Sequence, residues 1–314
     1  MGVINLKMLL ESQTLERAPF PVPMGWYHVD FSENLKPGEM RNVQLFGQEW
    51  VLFRTEGGVP GMSDPYCPHL GAHMGHGGKV CGEHLRCPFH HWEYDTDGNC
   101  KAIPYAKVMP PITKKGPILR TLPTVEKYGM IWSWFHPACE PPAFELPYIP
   151  EIEDATGYTG SRRGTWTAST CIQEIAENGV DVAHLKFLHG AAGIPPVDAH
   201  YDGMKMRLDI GKGYIVGDMY GPGLNVMRFH QEGITATMIS YSVPVSHDQT
   251  QMNMSFRHVD YAEGTKELHA SRKVIDISGD GPNNNGAPVV IARDAAVEKG
   301  VVINGLPIMV KEPS

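Results

Sequence analysis

Between Cys67 and Trp92 the chain reads C-P-H-L-G-A-H-M-G-H-G-G-K-V-C-G-E-H-L-R-C-P-F-H-H-W. Two ligand pairs stand out, Cys67-x-His69 and Cys87-x-x-His90, with seventeen residues between His69 and Cys87. Each pair offers one thiolate and one imidazole. Two thiolates on one iron and two imidazoles on the other suit a [2Fe–2S] cluster of mixed ligation. The histidine-bound iron is less negatively charged, so such a cluster is easier to reduce than an all-cysteine one. The same atoms would suit a structural Zn2+, but zinc patterns usually begin C-x2–4-C and end H-x3–5-H. The mixing of Cys with His inside each pair favours the cluster.

A second set follows in Asn178-Gly179-Val180-Asp181-Val182-Ala183-His184-Leu185-Lys186-Phe187-Leu188-His189-Gly190. Asp181 and His184, at i and i+3, share one face of a helix. His184 and His189 are five apart, and a regular helix would splay them by about 140°. Both reach one metal only if the helix ends or distorts between them, and Gly190 is placed to end it. The spacing H-E-x-x-H of zinc proteases is absent. Two imidazoles and one carboxylate on one face of the ion make the non-haem Fe(II) arrangement, which leaves positions open for O2. The carboxylate has to come from further on, where Asp276, Asp280, Asp294 and Glu298 are the candidates.

The elements that must position these groups can be read from the rest of the chain. Its 314 residues, 42% hydrophobic and 20% charged, allow two ordinary domains. A net charge of −8 without a basic block disfavours nucleic acid. No apolar run approaches a membrane span, and the first residues carry neither a signal-peptide pattern nor, with Leu6, a myristoylation signal. Six cysteines in this length form no disulfide framework; Cys81, Cys100, Cys139 and Cys171 read as ordinary thiols, and the expected compartment is the reducing cytoplasm. Residues 1–22 read as an N-terminal arm. Short β-runs broken by Gly and Pro fill residues 23–140. Pro137, Pro141, Pro142, Pro147 and Pro150 mark an extended linker, and residues 141–314 form the second domain. There a helical stretch from Cys171 to Leu188 precedes six strand-like runs: Met204–Ile210, Tyr214–Tyr220, Leu224–His230, Ile234–Val243, Gln251–Val259 and Leu268–Ile277. A late helix runs from Pro288 to about Lys299. No G-x-G-x-x-G fingerprint occurs, so a reductase would be a separate protein.

Cys67-Pro68-His69-Leu70-Gly71-Ala72 with Cys87-Pro88-Phe89-His90 resembles the Rieske domain of ring-hydroxylating and steroid-hydroxylating oxygenases, over roughly Pro23 to Pro137. Ala72 and Phe89 stand where the Rieske proteins of cytochrome bc complexes carry a disulfide. The oxygenase pattern continues His-Gly-Trp, and here it is His90-His91-Trp92; the C-x-x-H spacing keeps His90 as the ligand, with His91 the alternative. N-x-x-D-x-x-H-x-x-x-x-H resembles the iron motif of the same oxygenases.

The resemblance implies an α+β fold, an all-β Rieske domain followed by a helix-grip catalytic domain of antiparallel sheet and helices. It implies a cluster on Cys67, His69, Cys87 and His90, and a mononuclear Fe(II) on His184 and His189. Asp181 would bridge His184 to the cluster histidine, by spacing His90, of a neighbouring subunit, with Asn178 near the iron. The family takes its third ligand from a late helix, in a pattern like D-x-x-x-W-x-x-K. Asp294 fits this in part, without the tryptophan, and Glu298 is next. Such a chain would be the terminal oxygenase (alpha) subunit, in a ring taken as a homotrimer. It would take O2, a bulky hydrophobic substrate and electrons from a separate NAD(P)H-dependent reductase, directly or through a ferredoxin. C-P-H-L-G-A-H-M-G-H-G-G, Ile103-Pro104-Tyr105-Ala106-Lys107 and Pro123-Thr124-Val125-Glu126 look most like the 3-ketosteroid 9α-hydroxylase oxygenase group, so monooxygenation of a steroid-like molecule is expected. Ile172, Ile175, Val226, Met238, Ile239 and Met254 are the candidate cavity lining. Arene dihydroxylation, oxidative demethylation and desaturation are the alternative reactions. A pure Rieske electron-transfer protein is the alternative of another class, and it would need only the first half.

Overall fold

A computed structural model describes residues 20–154, 162–231, 234–258, 273–275 and 301–303. The first half is all-β. β1 (Gly25–Phe31) forms a sheet with two later strands, described below. β2 (Met40–Leu45), β3 (Gln48–Arg54) and β4 (Pro60–Ser63) run antiparallel in sequence order. β5 (Lys79–Cys81), β6 (His84–Arg86), β7 (Glu93–Tyr94) and β8 (Cys100–Ala102) make a second sheet of short hairpins. β9 (Thr121–Leu122) closes the β2–β3–β4 sheet, while β10 (Thr124–Lys127) and β11 (Met130–Phe135) join β1 in the order β1-β11-β10.

Two of these strands are apolar on both faces, and that decides how the halves meet. Successive side chains of a strand point to opposite faces. In β3, Trp50 and Leu52 enter one core with Tyr27, Ile131, Ile172 and Val243. Val51 and Phe53 enter another with Cys67, Met74, Leu85, Cys87 and Tyr94. In β11, Ile131 and Phe135 join the first core. Met130, Trp132 and Trp134 face a third, shared with Leu224, Val226, Ile239 and Tyr241 of the second half. The two halves therefore share two cores, beside one that belongs to the first half alone and two that belong to the second. The proline-rich linker is strapped down as well: Trp26 Nε1 donates to Phe144 O and Trp134 Nε1 to Glu140 O, while Leu146 and Ile149 are buried.

Helix α1 (Pro150–Glu153) opens the second half, its buried Glu151 paired with Arg228. β12 (Arg162–Ala168) follows, then α2 (Ile172–Asn178) and α3 (Ala183–Phe187), then β13 (Val197–Asp202), β14 (Lys205–Ile210), β15 (Ile215–Tyr220), β16 (Asn225–Gln231), β17 (Ile234–Ser240), β18 (Val243–Pro244) and β19 (Thr250–His258). They form one antiparallel sheet ordered β12-β19-β17-β16-β15-β14-β13, with β18 beside β19. β12 and β13 are its opposite edges. At the usual ~4.8 Å between strands the chain must cross about 29 Å of sheet between them, and α2 and α3 make that crossing.

The expected single helix from Cys171 to Leu188 is two, separated at 179–182. Gly179 and the β-branched Val180 and Val182 are poor helix formers, which accounts for the break. β12 and β13 carry no clear apolar alternation, β13 being exposed along its whole length, so the expected runs miss them. Of the run expected at Leu268–Ile277, the described residues do not join this sheet. β20 (Lys273–Ile275) pairs parallel with β21 (Val301–Ile303) in a sheet of their own. Most of the N-terminal arm and the late helix with Asp294 and Glu298 lie outside the described residues. Among the described residues no helix is long and apolar enough to cross a membrane.

His28 sits where the halves meet, its ring 4.8 Å from Tyr241, 4.9 Å from Phe31 and 6.0 Å from Trp132. Burial, with the Arg163 charge behind it, lowers its pKa from 6.5 to about 3. The unfolded chain therefore takes up this proton first. Stability from His28 is complete above pH 6.5 and is lost as pH falls toward 3, by ~1.4 kcal/mol per pH unit. His28→Phe should remove this slope from the urea-unfolding stability measured between pH 6.5 and 3. Parallel pH profiles for the two proteins would show that His28 is not the group responsible.

Candidate metal centres

The first centre is built from two loops of the same backbone design. Cys67 N–H donates to Ala72 O at 2.9 Å, and Cys87 N–H to Trp92 O at 2.9 Å. Each loop turns through a left-handed residue four positions after its cysteine, Gly71 (φ 75°) in one and His91 (φ 58°) in the other. Glycine adopts this conformation without a Cβ penalty; histidine does so at a cost. His91 therefore performs the turn of the glycine it replaces. Its side chain is exposed, while that of His90 is half-buried.

The loops bring all four expected ligands together. Cys67 and Cys87 are each 2% exposed and lie within hydrogen-bonding reach of one another. The rings of His69 and His90 are 4.8 Å apart. His90 Nδ1 is shielded from solvent and meets no hydrogen-bond partner among the described residues. Burial pushes the Cys67 thiol up, and the Cys87 thiol adds to this. Two buried thiols side by side can both ionise only beside compensating positive charge, which ferric ions supply. The donor set and the unsatisfied imidazole nitrogen fit a [2Fe–2S] cluster.

Three supporting side chains were not read from the sequence. Tyr94 Oη is 3.1 Å from Cys67 Sγ. Burial pushes its hydroxyl far above the ordinary tyrosine range, so beside Cys67 as a thiolate ligand it is the donor and the sulfur the acceptor. Trp92 stacks on His69 at 4.5 Å and 11°, and its Nε1 donates to Tyr105 Oη at 2.8 Å. The available signal was position: Trp92 and Tyr94 alternate just past the second loop, so one face of that segment returns to the cluster. A hollow of about 420 Å3 lined by Pro68, His69, Trp92, Ile112 and Ile118 opens beside this centre.

The second centre lies on the crossing segment. Ile175 of α2 packs with Trp166, Ala168, Met252 and Met254, over the β12–β19 side of the sheet. Val182 and Leu185 pack with Leu208, Ile210, Ile215 and Met227, over β14 to β16. With both ends fixed, the segment must break over the middle of the sheet. α3 then ends as expected between the histidines. Leu188 N–H reaches His184 O at 2.8 Å, His189 N–H reaches the same oxygen at 3.2 Å, and Ala191 N–H reaches Leu185 O at 2.9 Å. Gly190, at φ 72°, makes this widened turn possible.

The outcome is that the rings of His184 and His189 lie 5.1 Å apart at 77°. Asp181 Oδ2 is 4.0 Å from His184 Nδ1, and Asp181 Oδ1 accepts the Ala183 N–H at 2.9 Å. His184 Nδ1 is shielded from solvent and has the Asp181 carboxylate as its facing group, which leaves the other ring nitrogen, Nε2, for an ion. Asn178 ends α2, just before the break. Two converging imidazoles beside a carboxylate fit a divalent iron ion, and the candidates for the third ligand, Asp276, Asp280, Asp294 and Glu298, lie outside the described residues. The expected cavity lining divides. Ile172, Val226 and Ile239 belong to the cores shared by the two halves, whereas Ile175, Met238 and Met254 lie together under α2.

A family model for the Rieske [2Fe-2S] domain matches residues 25–123, and one for a protein of unknown function (DUF1194) matches residues 233–314. Cholesterol 7-desaturase nvd 1 of Ciona intestinalis is 39% identical over 168 residues, 53% of this chain and 34% of the relative. The chain thus spans about a third of that relative's length. The oxygenase component of a 3-ketosteroid-9-alpha-monooxygenase of Rhodococcus rhodochrous is 28% identical over 253 residues, 71% of this chain and 64% of the relative. In fold, the chain matches Pseudomonas putida CBB5 NdmA with a TM-score of 0.60 at 19% identity, over 88% of each chain.

Cys67→Ser or Cys87→Ser should abolish the visible absorbance of the cluster, while Ser at Cys81, Cys100, Cys139 or Cys171 should not. Loss of colour in one of the latter four would reassign a ligand. Tyr94→Phe should keep the cluster and lower its midpoint potential by on the order of 50 mV, the scale of one hydrogen bond of ~1 kcal/mol to sulfur in a one-electron couple. An unchanged potential would show that the 3.1 Å contact does not tune the cluster.

Proposed function

We propose that this chain, which has the sequence likeness and two-part fold of a Rieske oxygenase alpha subunit, is the oxygenase component of a multicomponent system oxidising a steroid-like substrate. The observation that carries the reading is the presence of both constellations on one chain. A pure electron-transfer protein needs the four cluster ligands and has no use for His184 and His189 converging over a second domain. The substrate class rests on relatives whose names specify a steroid, cholesterol in one and a 3-ketosteroid in the other. Those names divide between desaturation and monooxygenation, and both begin with oxidation of an unactivated C–H bond on a fused alicyclic frame.

When bound, the cluster supplies single electrons and a ferrous ion supplies the activation of O2. The side chains do the rest. His184 and His189 hold the ion through imidazole nitrogens, and Asp294 supplies the carboxylate, with Glu298 as the other choice. Asp181 orients His184 and faces His90 of the next subunit in a homotrimer, a second-contact role that fixes ring and tautomer. Asn178 stands beside the ion. Ile175, Met238 and Met254 give the surroundings of the site its apolar character, which favours a hydrophobic substrate and excludes water. Electrons come from a separate reductase.

The test of the ligand set is metal analysis. His184→Ala, His189→Ala and Asp294→Ala should each lose the mononuclear iron and keep the Rieske spectrum. Full iron and turnover in Asp294→Ala would transfer the role to Glu298. The substrate reading is tested by product analysis from sterols, 3-ketosteroids and arenes with a surrogate reductase. Conversion confined to arenes would overturn it.

Asp181 has two separable roles. As the acceptor of the Ala183 N–H it starts α3, and Asn can accept the same bond. Asp181→Asn should therefore keep the fold and both metal centres. Contacts of this kind are typically worth ~10–100-fold, and a broken electron route should exceed that, so single-turnover product from pre-reduced protein should fall more than ~100-fold. Near-normal product would leave Asp181 with only its structural role.

A further inference from the structure

The stretch between the two ligand pairs carries three more histidines that neither centre uses; His84 lies beside Glu93, and the other two are His73 and His76. The fold sets them beside Glu49, the second residue of β3. One ligand atom from each of the three falls within 4.8 Å of the others. His73 Nε2 is 3.2 Å from Glu49 Oε2, and the His73 and His76 rings are 4.2 Å apart at 35°. Two donors at ~2.1 Å from one tetrahedral ion stand about 3.4 Å apart, so the His73–Glu49 separation is already that of two ligands sharing an ion. His76 is exposed and can turn to close the remaining gap.

The surroundings point the same way. Both ring nitrogens of His73 are shielded from solvent, and neither makes a hydrogen bond among the described residues. Asn42 Oδ1 is likewise buried without a hydrogen-bond donor, and it fills the space a side chain at Gly75 would occupy, between the two histidines. Buried polar atoms are seldom left so, because each costs ~1–3 kcal/mol. The loop itself is firmly placed: Met74 is fully buried, its N–H donates to Pro65 O at 2.6 Å, and Tyr66 bridges His73.

We propose that Glu49, His73 and His76 form a further site for a divalent first-row transition ion, Zn2+ by its chemistry, fastening the first cluster loop to the β2–β3 hairpin. Two neutral imidazoles and a carboxylate are a borderline-soft set that suits such an ion and not Mg2+ or Ca2+. Three protein ligands leave one position for water. The site tethers residues that follow His69 by only four and seven positions, so its role is to hold that loop.

The competing account is a protonated His73 paired with Glu49 and no metal. The two are separated in the full-length protein carrying its cluster, with His184→Ala and His189→Ala introduced so that the mononuclear site cannot take the ion. After exposure to Zn2+ and gel filtration, this parent should retain about one zinc per chain with its cluster iron unchanged. Glu49→Gln, His73→Asn or His76→Asn in the same background should reduce zinc to below about a tenth of that, with the Rieske spectrum intact. His76→Asn alters an exposed side chain and so keeps the comparison safe from misfolding. Zinc should also raise the temperature at which the parent loses its visible absorbance, and should not do so in His76→Asn. A parent without retained zinc, or variants that keep it, would overturn the proposal.

Discussion

Two cysteine thiols held side by side out of water are the constraint on which the N-terminal half is organised. Burying them is unfavourable for the charged form, and only a strongly positive partner offsets that. Everything around Cys67 and Cys87 serves to keep them there: matching loops closed by backbone bonds, a left-handed residue at the same place in each, Tyr94 beneath, and the Val51 and Phe53 face of β3 behind. The imidazoles sit on the open side, where electrons can enter and leave.

The same strand ties this arrangement to the second half. β3 presents one face to the first half's interior and one to a core shared with the second half, and both faces of β11 enter shared cores. The cluster loops and the eight-stranded sheet are therefore parts of one packed body. The iron site depends on a different constraint, one of distance. A chain that enters the sheet at one edge and must resume at the other has to cross its face. The segment that crosses is pinned at Ile175 on one side and at Leu185 on the other. The break between α2 and α3, and the widened turn before Gly190, follow from that, and they turn His184 and His189 toward each other.

Much of this was legible in the residues. The mixed Cys/His pairs specified the first centre, because few chemistries want that set at that spacing. The five-residue gap from His184 to His189 required a helix end, and Gly190 provides it. What was not legible has physical reasons. The helix break at 179–182 reflects the pinning of both ends to a sheet, a tertiary effect that local propensity only permits. β13 escaped because an exposed edge strand shows no apolar alternation, and β12 because its inward positions, Gly164, Trp166 and Ala168, include only one large apolar residue. Tyr94 and Trp92 looked like ordinary core aromatics until the loops brought them to Cys67 and His69. Apolar residues do not announce their cavity: Ile172, Val226 and Ile239 proved to be the glue between the halves. The parallel pairing of Lys273–Ile275 with Val301–Ile303 departs from the antiparallel pattern of the preceding strands, and nothing in that apolar run distinguished the two.

The central claim is that one chain holds a mixed-ligand cluster and a separate iron. Iron and acid-labile sulfide, counted per chain on the same purified sample, test it most directly. The account predicts about three irons to two sulfides, two irons belonging to the cluster and one to His184 and His189. Two irons to two sulfides, unchanged after incubation with ferrous ion, would make this an electron-transfer protein. Zinc without sulfide would contradict the account at its first step.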